Sequence, residues 1–208
     1  MQQGDLSGKP RVLHGDANGQ YRVSINGNSG VGKSTTGAAL ATLLGVPFIS
    51  LDRLFWNPGW VQSSPEEFTA KLRKALEAAP NGWVVDGNYN SKGATFVQHE
   101  ATDIIWLDPP FWRYFPRLLW RTFLRLARVG QPCSPGCDES FREVFFSKDS
   151  IIWVAITHHR PMQARMRDKM RDDDLGKKIR RLGGGKAEFR AWWAAVENQV
   201  GRESPFFL

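Results

Sequence analysis

Cysteine occurs only twice in the 208 residues, at Cys133 and Cys137. Two are too few for a disulfide framework, and no His or Cys is spaced to complete a zinc site with them. A reducing compartment is the expectation. Long hydrophobic runs are also missing: the longest, 151–156, has six residues, against the roughly 20 that span a bilayer. The opening Met1-Gln2-Gln3-Gly4-Asp5 has no apolar stretch of the kind a secretory signal uses. These absences point to a cytoplasmic protein with no membrane partner. Acidic residues are the scarcer charge, 21 against 28 Lys and Arg, leaving a formal net charge of +7. That balance favours phosphate-bearing partners, whether small nucleotides or nucleic acid. Hydrophobic residues at 41%, with 13 Phe, 9 Trp and 3 Tyr, exclude collagen, coiled coil and wholesale disorder.

The length suits one domain of the usual size with room for an insertion. Residues 1–20 are rich in Gly, Gln, Asp and Asn and read as a flexible lead-in to a single folded unit over 21–208. From residue 21, short β-type runs at 21–26, 46–50, 83–86 and 103–108 alternate with helical patterns. Such alternation predicts a parallel sheet covered by helices on both faces. Ser64, Pro65 and Glu67 predict a capped helix start, with Phe68, Leu72, Ala75, Leu76 and Ala79 as its apolar stripe and Asn81-Gly82 as its stop.

A longer helix is predicted over about 111–129, with Pro116 acceptable only in the first turn. Arg117, Arg121, Arg125 and Arg128 share one of its faces, and Leu119, Phe123 and Leu126 share another. Pro and Gly then break the periodicity, so approximately 130–147 reads as a mobile insertion. Residues 148–170 look helical with Pro161 as a break or kink. A last strand at 177–182, a turn at Gly183-Gly184-Gly185 and a final helix at 186–200 complete the pattern. The charged stretch 165–181 reads as solvated surface, with nucleic-acid contact as the alternative.

The strongest chemical signal is Gly27-Asn28-Ser29-Gly30-Val31-Gly32-Lys33-Ser34, followed by Thr35. It fits G-x-x-x-x-G-K-[ST] and lies between an apolar strand and a helical pattern, as a phosphate loop requires. Its glycines let backbone N–H groups converge on phosphate oxygens, and the helix start adds positive dipole. Lys33 then serves the β and γ phosphates of ATP, and the Ser34 hydroxyl is placed for Mg²⁺. Asp52, Asp86 and Asp108 each end a predicted strand. In an open parallel sheet such ends gather beside the phosphate loop, where at least one carboxylate is expected to orient Mg²⁺ or its waters.

At these residues the chain resembles the adenylate-kinase-like P-loop NTPases known as DNA topology modulation (FlaR-type) proteins. The resemblance covers about 21–185. It rests on the phosphate loop, on Leu51-Asp52-Arg53-Leu54-Phe55-Trp56-Asn57-Pro58-Gly59-Trp60, on Trp83-Val84-Val85-Asp86-Gly87-Asn88-Tyr89 and on Ala101-Thr102-Asp103-Ile104-Ile105-Trp106-Leu107-Asp108. Gly136-Cys137 with Phe141, and Trp153 with Arg160-Pro161, extend it. It implies a three-layer α/β P-loop fold like that of nucleoside monophosphate kinases, with a lid insertion. By resemblance Asp86, in its Asp-Gly pair, assists Mg²⁺ through water. Arg117 and Arg121, nine and thirteen residues after Asp108 of Asp108-Pro109-Pro110, bind phosphate from the helix entering the lid. An arginine stripe supplies the charge stabilisation that phosphoryl transfer needs; the bland alternative is a solvated basic face.

One departure bears on the acceptor. Adenylate kinases place an Arg soon after Asp-Gly, whereas here Asp86-Gly87-Asn88-Tyr89-Asn90-Ser91 is followed by no Arg until Arg113. AMP is therefore not the expected acceptor. Arg53 is a candidate contact for an anionic substrate. Trp56, Trp60, Asn88 and Tyr89 are candidates to line a pocket for a ring or polyol, or, for the two Trp, to pack the acceptor-side helix. Asp52 is the candidate base or acceptor-orienting group. The expected function is transfer of the ATP γ-phosphate to an unidentified acceptor. A DNA-associated or regulatory P-loop ATPase is the alternative.

Overall fold

The computed structural model describes residues 12–127, 129, 134–137 and 151–201. Five parallel strands form its sheet: β1 (Tyr21–Gly27), β2 (Phe48–Ser50), β5 (Gly82–Asp86), β6 (Asp103–Leu107) and β7 (Ile179–Leu182), in the order β2-β5-β1-β6-β7. A small antiparallel hairpin, β3 (Trp56–Asn57) with β4 (Val61–Gln62), stands apart. The helices are α1 (Lys33–Leu44), α2 (Leu51–Phe55), α3 (Pro65–Glu77), α4 (Thr95–Glu100), α5 (Phe111–Leu126), α6 (Ile151–Met170), α7 (Leu175–Lys178) and α8 (Lys186–Val200).

Period-two alternation divides the sheet's side chains between two cores. Trp83, Val85, Ile104 and Trp106 pack with Phe68 and Leu72 of α3 and with Met162 and Met166 of α6. Val84, Ile105 and Leu107 point the other way, against Leu40 and Leu43 of α1 and Trp192, Trp193 and Val196 of α8. A central strand buried on both sides must be apolar on both, and β5 and β6 are buried along their whole lengths. The result is the expected three-layer P-loop fold. Among the described residues no helix is long and apolar enough to cross a membrane.

The start of α3 is as expected: Ser64 Oγ accepts from Glu67 N at 3.1 Å, with Pro65 opening the helix. Other expectations need correction. In α5 the buried residues are Tyr114, Leu118 and Thr122, while Leu119 (39%) and Phe123 (59%) face solvent. The helix packs on the phosphate loop, and the side chains that meet the loop take the buried side whatever their polarity. Pro116 lies in the second turn, beyond the first. It costs little there because both it and Trp112, whose carbonyl it cannot bond, are exposed, so water can serve that carbonyl. Pro161 likewise does not end α6: the bond it cannot give would go to the Thr157 carbonyl, and both residues are on the exposed side.

The segment 12–20 is docked where a flexible lead-in to residue 20 was expected. Leu13 is fully buried. Val12 N and Leu13 N donate to Gln199 Oε1 at 2.7 and 3.1 Å, and His14 N and Gly15 N donate to the Asp103 carboxylate at 2.7 and 3.1 Å. Of the expected insertion over 130–147, residues 134–137 lie on the β3–β4 hairpin. Gly59 N donates to Gly136 O at 2.8 Å, Ser134 Oγ to Trp56 O at 3.0 Å and Cys137 Sγ to Asn57 O at 3.3 Å. The rest of that expectation, with Arg128, Cys133 and Phe141, falls outside the described residues.

Candidate active site

The loop from Gly27 to Gly32 joins β1, the middle strand, to α1. Two of its glycines are demanded by crowding. A Cβ on Gly27 would come within 2.6 Å of Leu107 O, and one on Gly30 within 2.9 Å of Leu118 Cβ. Gly32 differs: its φ is 99°, yet beyond its own chain neighbours no atom of the described residues lies within 4 Å of where its Cβ would be. That outer side is open backbone at the start of α1, which has no side-chain cap and no acidic residue in its first turn. Uncapped N–H groups at a helix start, with open space before them, form a cradle for an anion. Val31 is buried beneath the loop, while Ser34 and Thr35 are exposed. Lys33 Nζ donates to Asn28 O at 3.0 Å.

Asp86 ends β5 between Ser50 of β2 and Ile25 of β1. Ser34 Oγ donates to its Oδ2 at 2.5 Å. Its Oδ1 is buried and has no hydrogen-bond partner among the described residues, in a residue only 2% exposed. Burial pushes this carboxyl above its ordinary pKa. The Ser34 hydroxyl, the Lys33 charge and Ser50 pull it back, and the negative charge of Asp52 pushes it further up. A buried carboxylate oxygen with no partner, beside a hydroxyl, in a phosphate cradle, fits the donor set of Mg²⁺, which uses few protein oxygens and completes its shell with phosphate and water. Among the described residues no group of three His, Cys, Asp or Glu converges as a larger metal cage would need.

Asp52, the second residue of α2, accepts from Tyr89 Oη at 2.6 Å. Tyr89 sits in an aromatic group with Phe55 at 4.8 Å and Phe68 at 5.5 Å between centroids. Trp56 and Trp60 meet edge to face at 5.3 Å, and Trp56 also packs on Phe55. The two Trp are half-buried, and Arg53 and Asn88 are exposed, with Asn88 Nδ2 donating to Met162 Sδ at 3.0 Å. These candidates therefore share the β2–β5 side of the loop. Asp108 does not join them. Its Oδ2 accepts from Arg181 Nε at 2.8 Å and pairs with Arg181 Nη2 at 2.7 Å, and its Oδ1 accepts from Gln163 at 2.8 Å. That carboxylate fastens β6 to β7 and α6; it lies beside the loop as expected, lining a small pocket with Asn28 and Val31, but on the β6–β7 flank and with both oxygens engaged.

On the β6–β7 side lies a cleft of about 860 Å³. Gly32 and Thr35 of the loop line it, with Arg113 and Arg117 of α5 opposite Lys186 and Arg190 of α8. Arg121, half-buried one turn further along α5, is not among its lining residues. The guanidinium of Arg113 lies so close over Gly185 that a Cβ there would collide with it. Sequence reasoning missed Arg113, Gly185, Lys186 and Arg190. The available signal was Gly183-Gly184-Gly185 directly after the last parallel strand, a position where ligands bind.

No family model and no curated protein matches the chain. Among solved structures it is similar to shikimate kinase from Bacteroides thetaiotaomicron, at 16% identity over 88% of this chain and 99% of that one, with a TM-score of 0.49. It is also similar to shikimate kinase from Acinetobacter baumannii in complex with shikimate, at 12% identity over 88% and 94%, with a TM-score of 0.46. Both likenesses are too distant to assign a role to any residue here.

Proposed function

We propose that this protein is an ATP-dependent phosphotransferase that phosphorylates a small-molecule acceptor. The observation that carries this reading is the Ser34–Asp86 pair at the foot of the loop, whose buried Oδ1 has no hydrogen-bond partner among the described residues. The strand order supports it. The cleft lies on the β6–β7 side and Asp52 on the β2–β5 side, with the loop on β1 between them. A nucleotide base and ribose in the cleft would bring the γ-phosphate to the middle of the sheet, facing an acceptor held beside Asp52.

The loop amides bind the phosphates, and Lys33 exchanges the Asn28 carbonyl for phosphate oxygen. Ser34 and Asp86 would hold Mg²⁺, which when bound would neutralise charge on the phosphates. The acceptor oxygen attacks the γ-phosphorus, the bond to the ADP oxygen breaks, and the acceptor proton passes to the Asp52 carboxylate, which Tyr89 orients. Arg53, Trp56, Trp60 and Asn88 are the acceptor-side contacts. Arg117, with Arg113, faces the nucleotide from across the cleft.

Arg117→Ala is expected to lower single-turnover rate about 10- to 100-fold with a smaller effect on ATP affinity, and Arg117→Lys to be nearly as costly because the planar fork is lost. Arg121→Ala, whose residue lies outside the cleft lining, is the comparison. Equal, small changes in all three would make the stripe surface charge.

The second reading, a DNA-associated or regulatory ATPase, is favoured by the exposed cations Arg160, Arg165, Arg167 and Arg180. An acceptor screen with product detection separates the two. ADP formed together with a phosphorylated acceptor is the expected result. ADP and free phosphate alone, stimulated by DNA at physiological salt, would sink the kinase reading.

A further inference from the structure

The Asn28 side chain ties the loop to two other elements. Its Nδ2 donates to Tyr114 Oη at 2.8 Å and to Ala155 O at 2.9 Å, and its Oδ1 accepts from Ser29 N at 2.9 Å. Both amide hydrogens and the amide oxygen are therefore engaged. The backbone carbonyl of the same residue is where Lys33 rests. Tyr114 is fully buried, and its Oη lies 3.0 Å from His159 Nδ1. Since that oxygen accepts from Asn28, its own proton is left to donate, and Nδ1 accepts it when the imidazole is neutral with its proton on Nε2. Burial, ahead of the opposing hydrogen bond from Asn28, raises the phenol above its ordinary pKa and keeps it a donor. Phe111 holds the imidazole edge-on at 5.4 Å.

We propose that Tyr114 and His159 are positioning residues that, acting through Asn28, hold the phosphate loop in the shape that receives a triphosphate. The proposal rests on the phosphate-loop reading above. Leu118, one turn along α5 from Tyr114, presses on Gly30, so one face of α5 meets the loop twice: by shape at Gly30 and by hydrogen bond at Asn28. From the other side α6 contributes Ala155 and His159, also one turn apart. The two helices form a wall behind the loop, and its polar contacts converge on the residue that sets where Lys33 starts. A displaced Asn28 moves the lysine's resting place and turns the following N–H groups away from the cradle. Tyr114 and His159 touch no phosphate in this arrangement. They act through Asn28.

The test is amide hydrogen exchange with millisecond labelling on the ligand-free full chain, together with ATP affinity, for Tyr114→Phe, His159→Phe and His159→Asn. Tyr114→Phe and His159→Phe should accelerate exchange of amides 29–34 at least tenfold, leave sheet amides 104–106 unchanged and weaken ATP binding at least tenfold. His159→Asn, whose Oδ1 offers an acceptor near the position of Nδ1, should restore both. Unchanged loop exchange would overturn the proposal. So would acceleration spread equally over the sheet, which reports general destabilisation, or a failure of His159→Asn to differ from His159→Phe. A wild-type chain that binds no ATP would instead overturn the phosphate-loop reading on which the proposal rests. Flat exchange in the variants, with wild-type ATP binding intact, defeats the positioning role alone.

Discussion

Lys33→Ala is expected to reduce phosphoryl transfer by about 10²- to 10³-fold, the cost of removing one preorganised charge-stabilising donor, and to weaken ATP binding strongly, while changing the stability of the fold only slightly, because relief at the helix start is opposed by the lost attraction to the buried Asp86 carboxylate. The stability half follows from where the lysine sits. It is the first residue of α1, at a helix start with no acidic side chain in the first turn. A cation there opposes the helix dipole by about 0.3–1 kcal/mol, and alanine is the better helix former. Lys33 Nζ donates to a loop carbonyl. ATP affinity by calorimetry and a thermal melt of the same variant check the two halves together. Loss of affinity accompanied by a large fall in melting temperature would show that the lysine holds the loop's structure instead.

Removing Lys33 also takes away a charge that lowers the proton affinity of Asp86. The two residues are therefore one electrostatic unit, although 53 positions apart in neither motif nor strand do they meet in sequence. This is the pattern of what was legible and what was not. The loop, the strands and the cap of α3 are local: each is written in a few adjacent residues, so spacing alone reveals them. Asp86 and Asp108 look alike locally, each ending an apolar strand. They part company because Arg181 and Gln163 arrive at Asp108 from 73 and 55 residues away, and no window contains those partners. The docking of 12–15 depends on Gln199 and Asp103 in the same way. In α5 two stripes of similar size competed for burial. The winner contains Tyr114 and Thr122 because the loop offers Tyr114 an amide to bond and Leu118 a glycine to press on. Periodicity reports that a helix has two faces; the neighbour decides which one is buried.

Asp86→Asn is expected to lower Mg²⁺-dependent turnover about 10²-fold or more and at the same time to stabilise the ligand-free protein at neutral pH. In the folded chain burial is the largest influence on this carboxyl, and its pKa stands above the ordinary 3.8. The folded state thus binds the proton more tightly than the unfolded state does. Below 3.8 both states are protonated and the charge costs nothing. As pH rises from there through the raised value, the unfolded chain ionises first and folding loses stability, and above the raised value the full cost persists. Asparagine keeps the shape and carries no charge, and the Ser34 hydroxyl can turn to accept from its amide. The wild-type melting temperature should therefore fall across that acidic window more steeply than the variant's, leaving the variant more stable at neutral pH. For a chain of this size each 1 kcal/mol appears as about 2–4 °C. Melts between pH 3 and 8, with and without Mg²⁺ and ATP, read this directly: ligand should raise the wild-type midpoint far more than the variant's, because only wild type has the carboxylate that makes the cation's binding worthwhile. If instead the variant matches wild type in turnover and gains nothing in stability, the buried Oδ1 carries no charge that matters, and the cation's protein carboxylate has to be sought at Asp52.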